Sequence, residues 1–477
     1  MRKRYFIISL TVIVIITGIW ACKYGGVGPA GIDLSVIKKK NNKGGDFDTE
    51  MDKKLMVNSF GFNGEIAYGT NNRINPDMNS AVEVFPFQEG QAYYRIPSLV
   101  VTTNGTLIAF ADRRYNNRND LPNRIEVDVK RSTDNGKTWS KRIRVTPRSV
   151  SDSDGHGDVA TVVNRNTGEI LALVAAGAGF VATAGQSLIS TPKTPMKIVL
   201  FKSSDDGITW SKGEDITSQI YGNQCKVDSR KGWHAAFVSS GNGIQLSTGR
   251  ILFVINVRES AATGINTFKN YALYSDDGGN TWNVSKNAPT TTGGNESKIV
   301  ELTDGRLLMT SRPNYVNNRM HAYSSDRGET WGEATQKSDV TVAGSNGDMI
   351  YYTSVKNGWD TNRIIHFIPT GNTTVSGEGQ YNGRWGPANP YFYYSYDDGK
   401  TFEKSQAIRN GQQAGYSSLA VLHDGSIGIL FEDKSWGGPI KFMRVNFEWL
   451  TRGKDKGPKK ITATTTTTED SKDNTKK

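Results

Sequence analysis

One eight-residue motif recurs five times along the chain and constrains its fold more than any other feature. The pattern is Ser-x-Asp-x-Gly-x-Thr-aromatic, here termed the Asp box, and the copies occupy residues 132–139, 203–210, 275–282, 324–331 and 395–402. Successive copies begin 71, 72, 49 and 71 residues apart. Self-similarity at such periods is typical of propellers and solenoids, in which each repeat is one small supersecondary unit.

The residues of the Asp box indicate a tight turn between two strands. The Asp carboxylate can accept hydrogen bonds from backbone N–H groups, the Gly allows a positive φ, and the aromatic side chain can fold back over the hairpin. Alternating apolar stretches flank the copies, as in 250–257 and 306–310, and a helical period is hardly visible. Five boxes plus one unmarked C-terminal stretch predict an all-β fold, a six-bladed β-propeller.

The Asp-box carboxylates are predicted to be structural. Because they repeat in every marked blade, they cannot converge on one site. They are Asp134, Asp205, Asp277, Asp326 and Asp397. Residues that bind a ligand near the propeller axis should instead come from several blades and should not repeat.

The N-terminal residues have the pattern of an export signal. Residues 1–22 begin with three basic residues and continue with a nearly unbroken apolar run from Phe6 to Ala21. The end of this run resembles the lipobox of bacterial lipoproteins, with Cys22 as the lipidation site. Ordinary signal cleavage or an uncleaved anchor would fit the same residues. All three alternatives predict an exported body, either attached to the cell surface or secreted or periplasmic.

The remaining segments follow from composition. Residues 23–55 are rich in Gly and Lys and are predicted to be a flexible tether, residues 56–452 to be the propeller, and residues 453–477 to be a disordered, basic, Thr-rich tail.

The charge distribution argues against nucleic-acid binding, and the spacing of cysteines and histidines argues against a metal site. The formal net charge is +11, but residues 1–58 carry +5 and residues 452–477 carry +4, so the body is nearly neutral. Cys22 and Cys225 are the two cysteines, and the five histidines lie far apart in sequence. No metal-ligand spacing is present, so a metal is not predicted. The body is expected to be a monomer.

A second motif, Tyr94-Arg95-Ile96-Pro97, precedes the first clear strand and lies upstream of all five boxes. The combination resembles the sialidase (exo-α-neuraminidase) family of bacterial type, over about residues 85–450. The resemblance implies a retaining exo-α-sialidase that removes terminal sialic acids from glycoproteins, glycolipids or oligosaccharides without a cofactor.

The resemblance also implies a set of arginines. Sialidases hold the substrate carboxylate with three of them, whose planar guanidinium groups match the geometry of a carboxylate. Arg95 matches the first and Arg312 the second. Arg384 is the candidate for the third, with Arg363 as the alternative. Arg114 matches a fourth family arginine, near the 4-position of the sugar.

The catalytic residues are implied in the same way. Tyr416 matches the family nucleophile, since a neutral phenol does not repel the carboxylate of the substrate, whereas a carboxylate nucleophile would. A phenol has a pKa near 10 and needs a general base, and Glu296 matches that partner. Asp120 is the candidate acid/base. Asp112 and Asp128 are alternatives, although either could simply pair with a neighbouring arginine.

Two further positions complete the predicted site. Glu432 matches a family glutamate that orients Arg95, and Asp158 matches a position near the substrate pocket, although a turn residue in a Gly-rich loop would look the same.

Two other functions fit the sequence. One is a trans-sialidase or intramolecular trans-sialidase. The other is a non-catalytic sialoglycan-binding propeller, which would not need Tyr416, Glu296 and Asp120 together.

Overall fold

Six β-sheets of four or five strands each dominate the architecture of the described residues, and they confirm the predicted six-bladed β-propeller. The structure is a computed structural model that describes residues 81–87, 92–181, 188–290, 293–313, 318–341, 344–369, 390–408, 414–433 and 438–461. The predicted export signal, the tether and Arg384 lie outside the described residues.

Each blade is an antiparallel meander built mainly from consecutive strands. Blade 1 contains β2 (Tyr93–Val101), β3 (Leu107–Arg114), β4 (Ile125–Ser132) and β5 (Ile143–Arg144). Blade 2 contains β6 (His156–Val163), β7 (Ile170–Ala176), β8 (Lys197–Ser203) and β9 (Glu214–Asp215), with β11 (Gly241–Asn242) parallel to β6. Blade 3 contains β10 (Ala235–Val238), β12 (Ile244–Gln245), β13 (Ile251–Arg258), β14 (Phe268–Ser275) and β15 (Asn283–Val284).

The second half of the ring repeats the pattern. Blade 4 contains β16 (Gly294–Glu301), β17 (Leu307–Pro313), β18 (Asn318–Ser324) and β19 (Thr335–Thr341). Blade 5 contains β20 (Asp348–Thr353), β21 (Arg363–Pro369), β22 (Pro390–Ser395) and β23 (Glu403–Ala407). Blade 6 contains β24 (Ala414–Val421), β25 (Ile427–Asp433), β26 (Ile440–Val445) and, from the N-terminal side of the chain, β1 (Val82–Phe85).

The origin of β1 explains why five Asp boxes accompany six blades. Every box lies between the third and fourth strands of its blade, for example between β4 and β5. In blade 6 the fourth position is filled by β1, which pairs antiparallel with β26 through Val82 and Phe442. No turn connects these two strands, so blade 6 has no place for a box.

The core of the propeller lies between the blades. Six buried apolar clusters each combine side chains from two neighbouring blades, so a strand is buried on both of its faces. In β7, Ile170, Ala172 and Val174 pack towards blade 1, whereas Leu171 and Leu173 pack towards blade 3. Because strands of this kind bury both alternating sets of residues, they read as continuous apolar runs.

The Asp box forms the tight turn that its residues predict. In the first copy, Asp134 accepts hydrogen bonds from Thr138 N at 2.9 Å and from Ser132 Oγ at 2.7 Å. Ser132 Oγ in turn accepts a hydrogen bond from Gly136 N at 2.9 Å, where the backbone has a φ of 83°. Trp139 packs edge-on against Phe442, so the box aromatic fills the cluster shared with the preceding blade.

Short helices connect or follow the blades. The α-helical turns are α1 (Thr217–Ile220), α2 (Asp228–Lys231) and α3 (Phe447–Leu450), and the 3₁₀ turns cover Asp152–Asp154, Ile265–Thr267 and Val355–Asn357. Within the part of the chain that the structure describes, no helix has the length and apolar character required to cross a membrane.

The ordered chain continues beyond residue 452, where the sequence predicts a disordered tail. Asp455 pairs with the Arg363 Nε at 2.8 Å, and the backbone of Lys460 forms a bridge with that of Trp359. These contacts fix residues 453–461 on blade 5 despite their polar composition. The rest of the predicted tail, residues 462–477, lies outside the described residues.

Candidate active site

Four β-bulges at equivalent places in the propeller carry or adjoin predicted site residues. Each lies at the start of a long, inner strand of its blade, in β2, β6, β16 and β24. The shifts in register fall next to or around four side chains, which are Arg95, Asp158, Glu296 and Tyr416. A bulge re-aims a side chain out of the regular alternation of its strand, so these four residues leave the packing pattern between the blades.

Two of the bulges contain backbone in the left-handed region. Ile96 has a φ of 58° and Asp158 a φ of 54°. For a β-branched residue this conformation is unfavourable and persists only where the surroundings impose it. The N–H of Ile96 donates to Glu432 Oε1 at 3.0 Å, and the N–H of Asp158 donates to Asp112 Oδ1 at 3.1 Å. A buried carboxylate from a neighbouring strand therefore holds each strained residue.

Tyr416, Glu296 and Arg312 form the centre of the site. The hydroxyl of Tyr416 donates a short hydrogen bond to Glu296 Oε1, and Arg312 Nη1 donates to Glu296 Oε2. The same Arg312 nitrogen lies 2.8 Å from the Tyr416 hydroxyl. The three residues come from β24, β16 and β17, so two blades assemble a phenol, a carboxylate and a guanidinium in direct contact.

The surroundings keep the phenol protonated in the resting site. Burial raises the pKa of Tyr416 well above its usual value, and the adjacent charge of Glu296 raises it further, against the opposing effect of Arg312 and Arg95. A neutral phenol that already donates to a carboxylate can become a nucleophile if that carboxylate accepts its proton during attack.

Arg95 lies over the Tyr416 ring and is oriented by Glu432. The guanidinium carbon of Arg95 is 5.2 Å from the centre of the ring. Its Nε donates to Glu432 Oε1 at 3.2 Å, while Glu432 Oε2 accepts from the N–H of Tyr416 at 3.2 Å. A Cβ at Gly415 would collide with this carboxylate, so the glycine before Tyr416 permits the close approach.

Asp120 lies beside two arginines and is accessible to solvent. Its Oδ1 accepts from Arg114 Nη1 at 2.7 Å and lies 3.7 Å from Arg95 Nη1, and its side chain is 68% exposed. Desolvation raises the pKa of Asp120, but the charges of Arg114 and Arg95 outweigh it and hold the pKa below its usual value. Asp120 therefore presents an ionised carboxylate to the open side of the site when no ligand is bound.

Asp112 and Asp158 complete the acidic side of the site. Asp112 is fully buried and accepts from Arg114 Nη2 at 2.9 Å, which fixes the guanidinium that contacts Asp120. Burial raises the pKa of Asp112 to about 6 despite this ion pair. Burial and the nearby charges of Asp120 and Asp112 raise the pKa of Asp158 well above its usual value. Asp158 thus favours a neutral carboxyl group that can donate a hydrogen bond.

The alternatives to Asp120, which are Asp112 and Asp128, and the alternative to Arg384, which is Arg363, have other partners. Asp112 is inaccessible, and Asp128 is buried against Arg142 with distances of 3.0 and 3.2 Å. Arg363 lies opposite Thr353, at the end of β20 away from its start at Asp348, and binds Asp360 and Asp455. The structure therefore does not bring Arg363 to the cluster around Tyr416.

One set of residues near Tyr416 gave no signal in the sequence. Ser345 and Asn346 precede β20 and contact the backbone on either side of Tyr416. Within Gly344-Ser345-Asn346-Gly347 such residues read as an ordinary turn, and only the register of β24 reveals the contact. Among the described residues, no group of three or more His, Cys, Asp or Glu side chains is arranged to hold a metal ion.

Comparisons with known proteins bear on the family and the fold of this chain. The model of the BNR repeat-like domain matches residues 96–369, more than half of the chain. A sialidase of Micromonospora viridifaciens is 30% identical over 370 residues, which cover 76% of this chain and 53% of that protein. A sialidase of Bacteroides fragilis is 30% identical over 361 residues, covering 72% and 60% respectively.

The chain thus spans little more than half the length of these relatives. Among solved structures, a Hadza microbial sialidase superimposes with a TM-score of 0.64 at 25% identity, covering 78% of this chain and 69% of the other. With six blades, five Asp boxes and relatives of this kind, the chain belongs to the sialidase family of bacterial type.

Proposed function

We propose that the protein is an exo-α-sialidase that cleaves terminal sialic acids from glycoconjugates with retention of configuration. One observation carries the proposal, which is the buried contact of the Tyr416 hydroxyl with Glu296 and Arg312. A structural tyrosine would be expected to pack in an apolar cluster rather than donate to a carboxylate beside two arginines. The arrangement has the parts of an activated nucleophile, namely a nucleophile, its base and a third group that orients the base.

The substrate is proposed to bind through its carboxylate. Arg95 lies over the Tyr416 ring and Arg312 contacts the Tyr416 hydroxyl, and each can donate charge-assisted hydrogen bonds to a carboxylate on the anomeric carbon. Arg384 is proposed as the third arginine of this set. Binding in this way would place the anomeric carbon over the Tyr416 oxygen and the glycosidic oxygen towards Asp120.

The first step forms a glycosyl-enzyme intermediate. The Tyr416 oxygen attacks the anomeric carbon while its proton passes to Glu296. The bond between the anomeric carbon and the glycosidic oxygen breaks, and the carboxyl group of Asp120 gives its proton to the leaving oxygen. The carboxylate of the substrate contributes to protonation of Asp120, because it competes for the positive charge of Arg95 that lowers the pKa of Asp120 in the free site.

The second step returns the site to its starting state. Asp120, now a carboxylate, accepts a proton from a water molecule as the water oxygen attacks the anomeric carbon. The bond to Tyr416 breaks, and the phenolate takes back its proton from Glu296. Two displacements at the same carbon give net retention.

The proposal is tested by release of a fluorophore from an aryl α-sialoside, with wild type and Tyr416→Phe compared. Wild type should turn over, and the variant should lose at least about a thousandfold in kcat, because phenylalanine has no oxygen with which to form the intermediate. Absence of turnover by wild type on any α-linked sialoside, together with measurable binding, would instead favour a sialoglycan-binding propeller.

Product analysis separates the remaining outcomes. Free sialic acid indicates hydrolysis, a new sialoside indicates transfer to an acceptor sugar, and an anhydro-sugar indicates intramolecular transfer. We propose hydrolysis, in which water is the acceptor in the second step.

We further propose that the body of the protein acts outside the cytoplasm, on the evidence of the apolar run in residues 1–22. Intact mass of the mature protein from cell fractions tests this. A diacylglycerol adduct on Cys22 would indicate a lipid anchor, and a mass beginning at Met1 in the cytoplasmic fraction would contradict export.

A further inference from the structure

The strand that carries Tyr416 has one edge bound by side chains instead of by a neighbouring strand. In the described residues, β24 is the end strand of its sheet and pairs only with β25. The N–H and C=O groups of alternate residues in a strand point to the same edge. On the edge away from β25, those groups must find partners elsewhere, because buried backbone polar groups are costly when unpaired.

The segment just before and at the start of β20 supplies these partners. Asn346 binds both backbone groups of Ser417, because its Oδ1 accepts from Ser417 N at 3.1 Å and its Nδ2 donates to Ser417 O at 3.2 Å. Ser345 Oγ donates to Gly415 O at 3.3 Å, and Asp348 Oδ2 accepts from Leu419 N at 2.7 Å. The side-chain amide of Asn346 thus replaces one residue of a strand partner, directly after Tyr416.

Asn346 is itself fixed by Arg319 of β18, which also binds the strand that carries Arg312. Arg319, which is fully buried, donates from Nη1 to Asn346 O at 2.9 Å. The same guanidinium donates from Nη2 to Thr310 O at 3.0 Å and from Nε to Thr310 Oγ1 at 3.1 Å. Thr310 lies two residues before Arg312 in β17. A continuous chain of hydrogen bonds therefore joins the backbone beside Arg312 to the backbone beside Tyr416.

From this geometry we infer that Asn346 is a positioning residue for the nucleophile, an inference that rests on the proposed function of Tyr416. Tyr416 lies in a bulge, where the regular ladder to β25 is interrupted between Ala414 and Ser417. Glu432 holds the N–H of Tyr416, and Asn346 holds both backbone groups of the next residue. Removal of the Asn346 amide frees the C-terminal side of the bulge and lets the phenol move relative to Glu296 and Arg312.

The test measures formation of the covalent intermediate directly. Wild type, Asn346→Leu and Asn346→Asp are incubated with 2,3-difluorosialic acid, and the rate of labelling is followed by intact mass, with the labelled residue located by peptide mapping. Asn346→Leu, which keeps the volume and loses both hydrogen bonds, should label about 10- to 100-fold more slowly, because small misplacement of a reacting group has effects of this size. Asn346→Asp keeps the acceptor for Ser417 N and should recover part of the rate.

A matched variant separates positioning from general loss of stability. Asn164 is a buried asparagine whose Oδ1 accepts from Asn166 N at 3.1 Å in the turn after β6. Asn164→Leu should lower the melting temperature without slowing labelling. The KM for an aryl sialoside should change less than threefold in Asn346→Leu, because the substrate-binding arginines keep their own partners.

The outcomes distinguish this inference from the proposed function. If wild type is not labelled on Tyr416, the proposed function fails and Asn346 has no nucleophile to position. If wild type is labelled and folded Asn346→Leu is labelled at the same rate, the positioning role is wrong. If Asn346→Leu does not fold, the labelling rate of Asn346→Asp decides, and a rate equal to that of wild type overturns the inference.

Discussion

The carboxylate of Glu432 joins Arg95 to the backbone of Tyr416, with one oxygen 3.2 Å from Arg95 Nε and the other 3.2 Å from the N–H of Tyr416. One buried acidic group therefore sets the distance between the proposed substrate-binding arginine and the proposed nucleophile. Its side chain is fully buried, so neither contact can be replaced by bulk water without rearrangement of the strand.

Glu432→Gln should impair both binding and chemistry. The amide keeps the shape but presents an NH₂ group to at least one of the three N–H donors, from Arg95, Ile96 and Tyr416, and removes the countercharge of Arg95. A buried hydrogen bond to a charged group contributes about 1.5–3 kcal/mol, so kcat/KM should fall about 10- to 100-fold. Steady-state kinetics on an aryl sialoside provide the measurement. Glu301→Gln, which removes a carboxylate bound to exposed Ser247, is the control and should retain wild-type kinetics. Equal effects of the two substitutions would contradict the role of Glu432.

Asp120→Asn should discriminate between leaving groups. The amide cannot donate the proton that an alkoxide leaving group needs, whereas a phenolate with a low pKa leaves without it. Loss of a general acid costs about 10²–10⁴-fold, so kcat/KM for 3′-sialyllactose should fall by that factor and kcat/KM for an aryl sialoside by much less, since kcat/KM does not include the second step, in which Asp120 acts as the base. Parallel assays of both substrates provide the measurement. The same fractional loss on both substrates would remove Asp120 as the acid. Asp152→Asn, at an exposed position that accepts a hydrogen bond from Asn116 Nδ2, should change neither value.

Asp134→Ala should destabilise the protein and leave catalysis unchanged. The carboxylate holds the first Asp box through Thr138 and Ser132, and these hydrogen bonds, opposed by burial, lower its pKa to about 2. Loss of a charged hydrogen-bonding group at a turn should cost about 1–3 kcal/mol in the free energy of unfolding at neutral pH. Because the pKa is lowered on folding, this contribution is present above pH 4 and is lost as the pH falls towards 2.

Chemical denaturation of wild type and Asp134→Ala at several pH values checks this dependence. The difference between the two proteins should shrink from pH 5 to pH 3, while kcat/KM at the working pH stays within twofold. A large loss of kcat in a fully folded variant would mean that the Asp box takes part in the reaction.

Asp128→Asn should remove a contribution to stability that decreases as the pH rises, which is opposite in sign to the contribution of Asp134. Burial raises the pKa of Asp128 to about 6, and its pairing with Arg142 does not compensate. A carboxyl group with a raised pKa stabilises the folded state below the unfolded pKa of about 4, and this contribution is lost as the pH rises through 6. Relative to Asp128→Asn, wild type should therefore lose about 1–3 kcal/mol between pH 4 and pH 7. Urea unfolding across this range provides the measurement, and parallel curves would contradict the raised pKa.

The propeller can be predicted from the sequence because the Asp box is a local signal. An Asp box needs its own residues alone to form a turn, so the pattern around Asp134 or Asp277 is visible without knowledge of its neighbours. The number of blades followed from counting boxes and adding the unmarked stretch. That β1 supplies the missing strand was not predictable, because Val82-Glu83-Val84-Phe85 has no feature that identifies β26 as its partner.

The candidate site was predicted only where a side chain has a recognisable sequence context. Arg95, Glu296 and Tyr416 lie within short motifs, and the structure brings them together with Arg312. The bulges that aim these residues depend on the register between strands, which no local pattern encodes. For the same reason no sequence pattern marks Asn346 as a neighbour of Tyr416, and Arg363 cannot be distinguished by sequence from an arginine of the site.

The pairing of β1 with β26 has a consequence for the order in which the domain can fold during synthesis. The ribosome makes β1 before any other described strand, yet β1 pairs with β26, which is made last among the strands. Until residues 440–445 have been synthesised, the cluster that holds Val84 lacks Ile440 and Phe442 on its blade 6 side. Individual blades can therefore fold as the nascent chain emerges. The ring cannot close through the pairing of β1 with β26 before translation of the domain is complete.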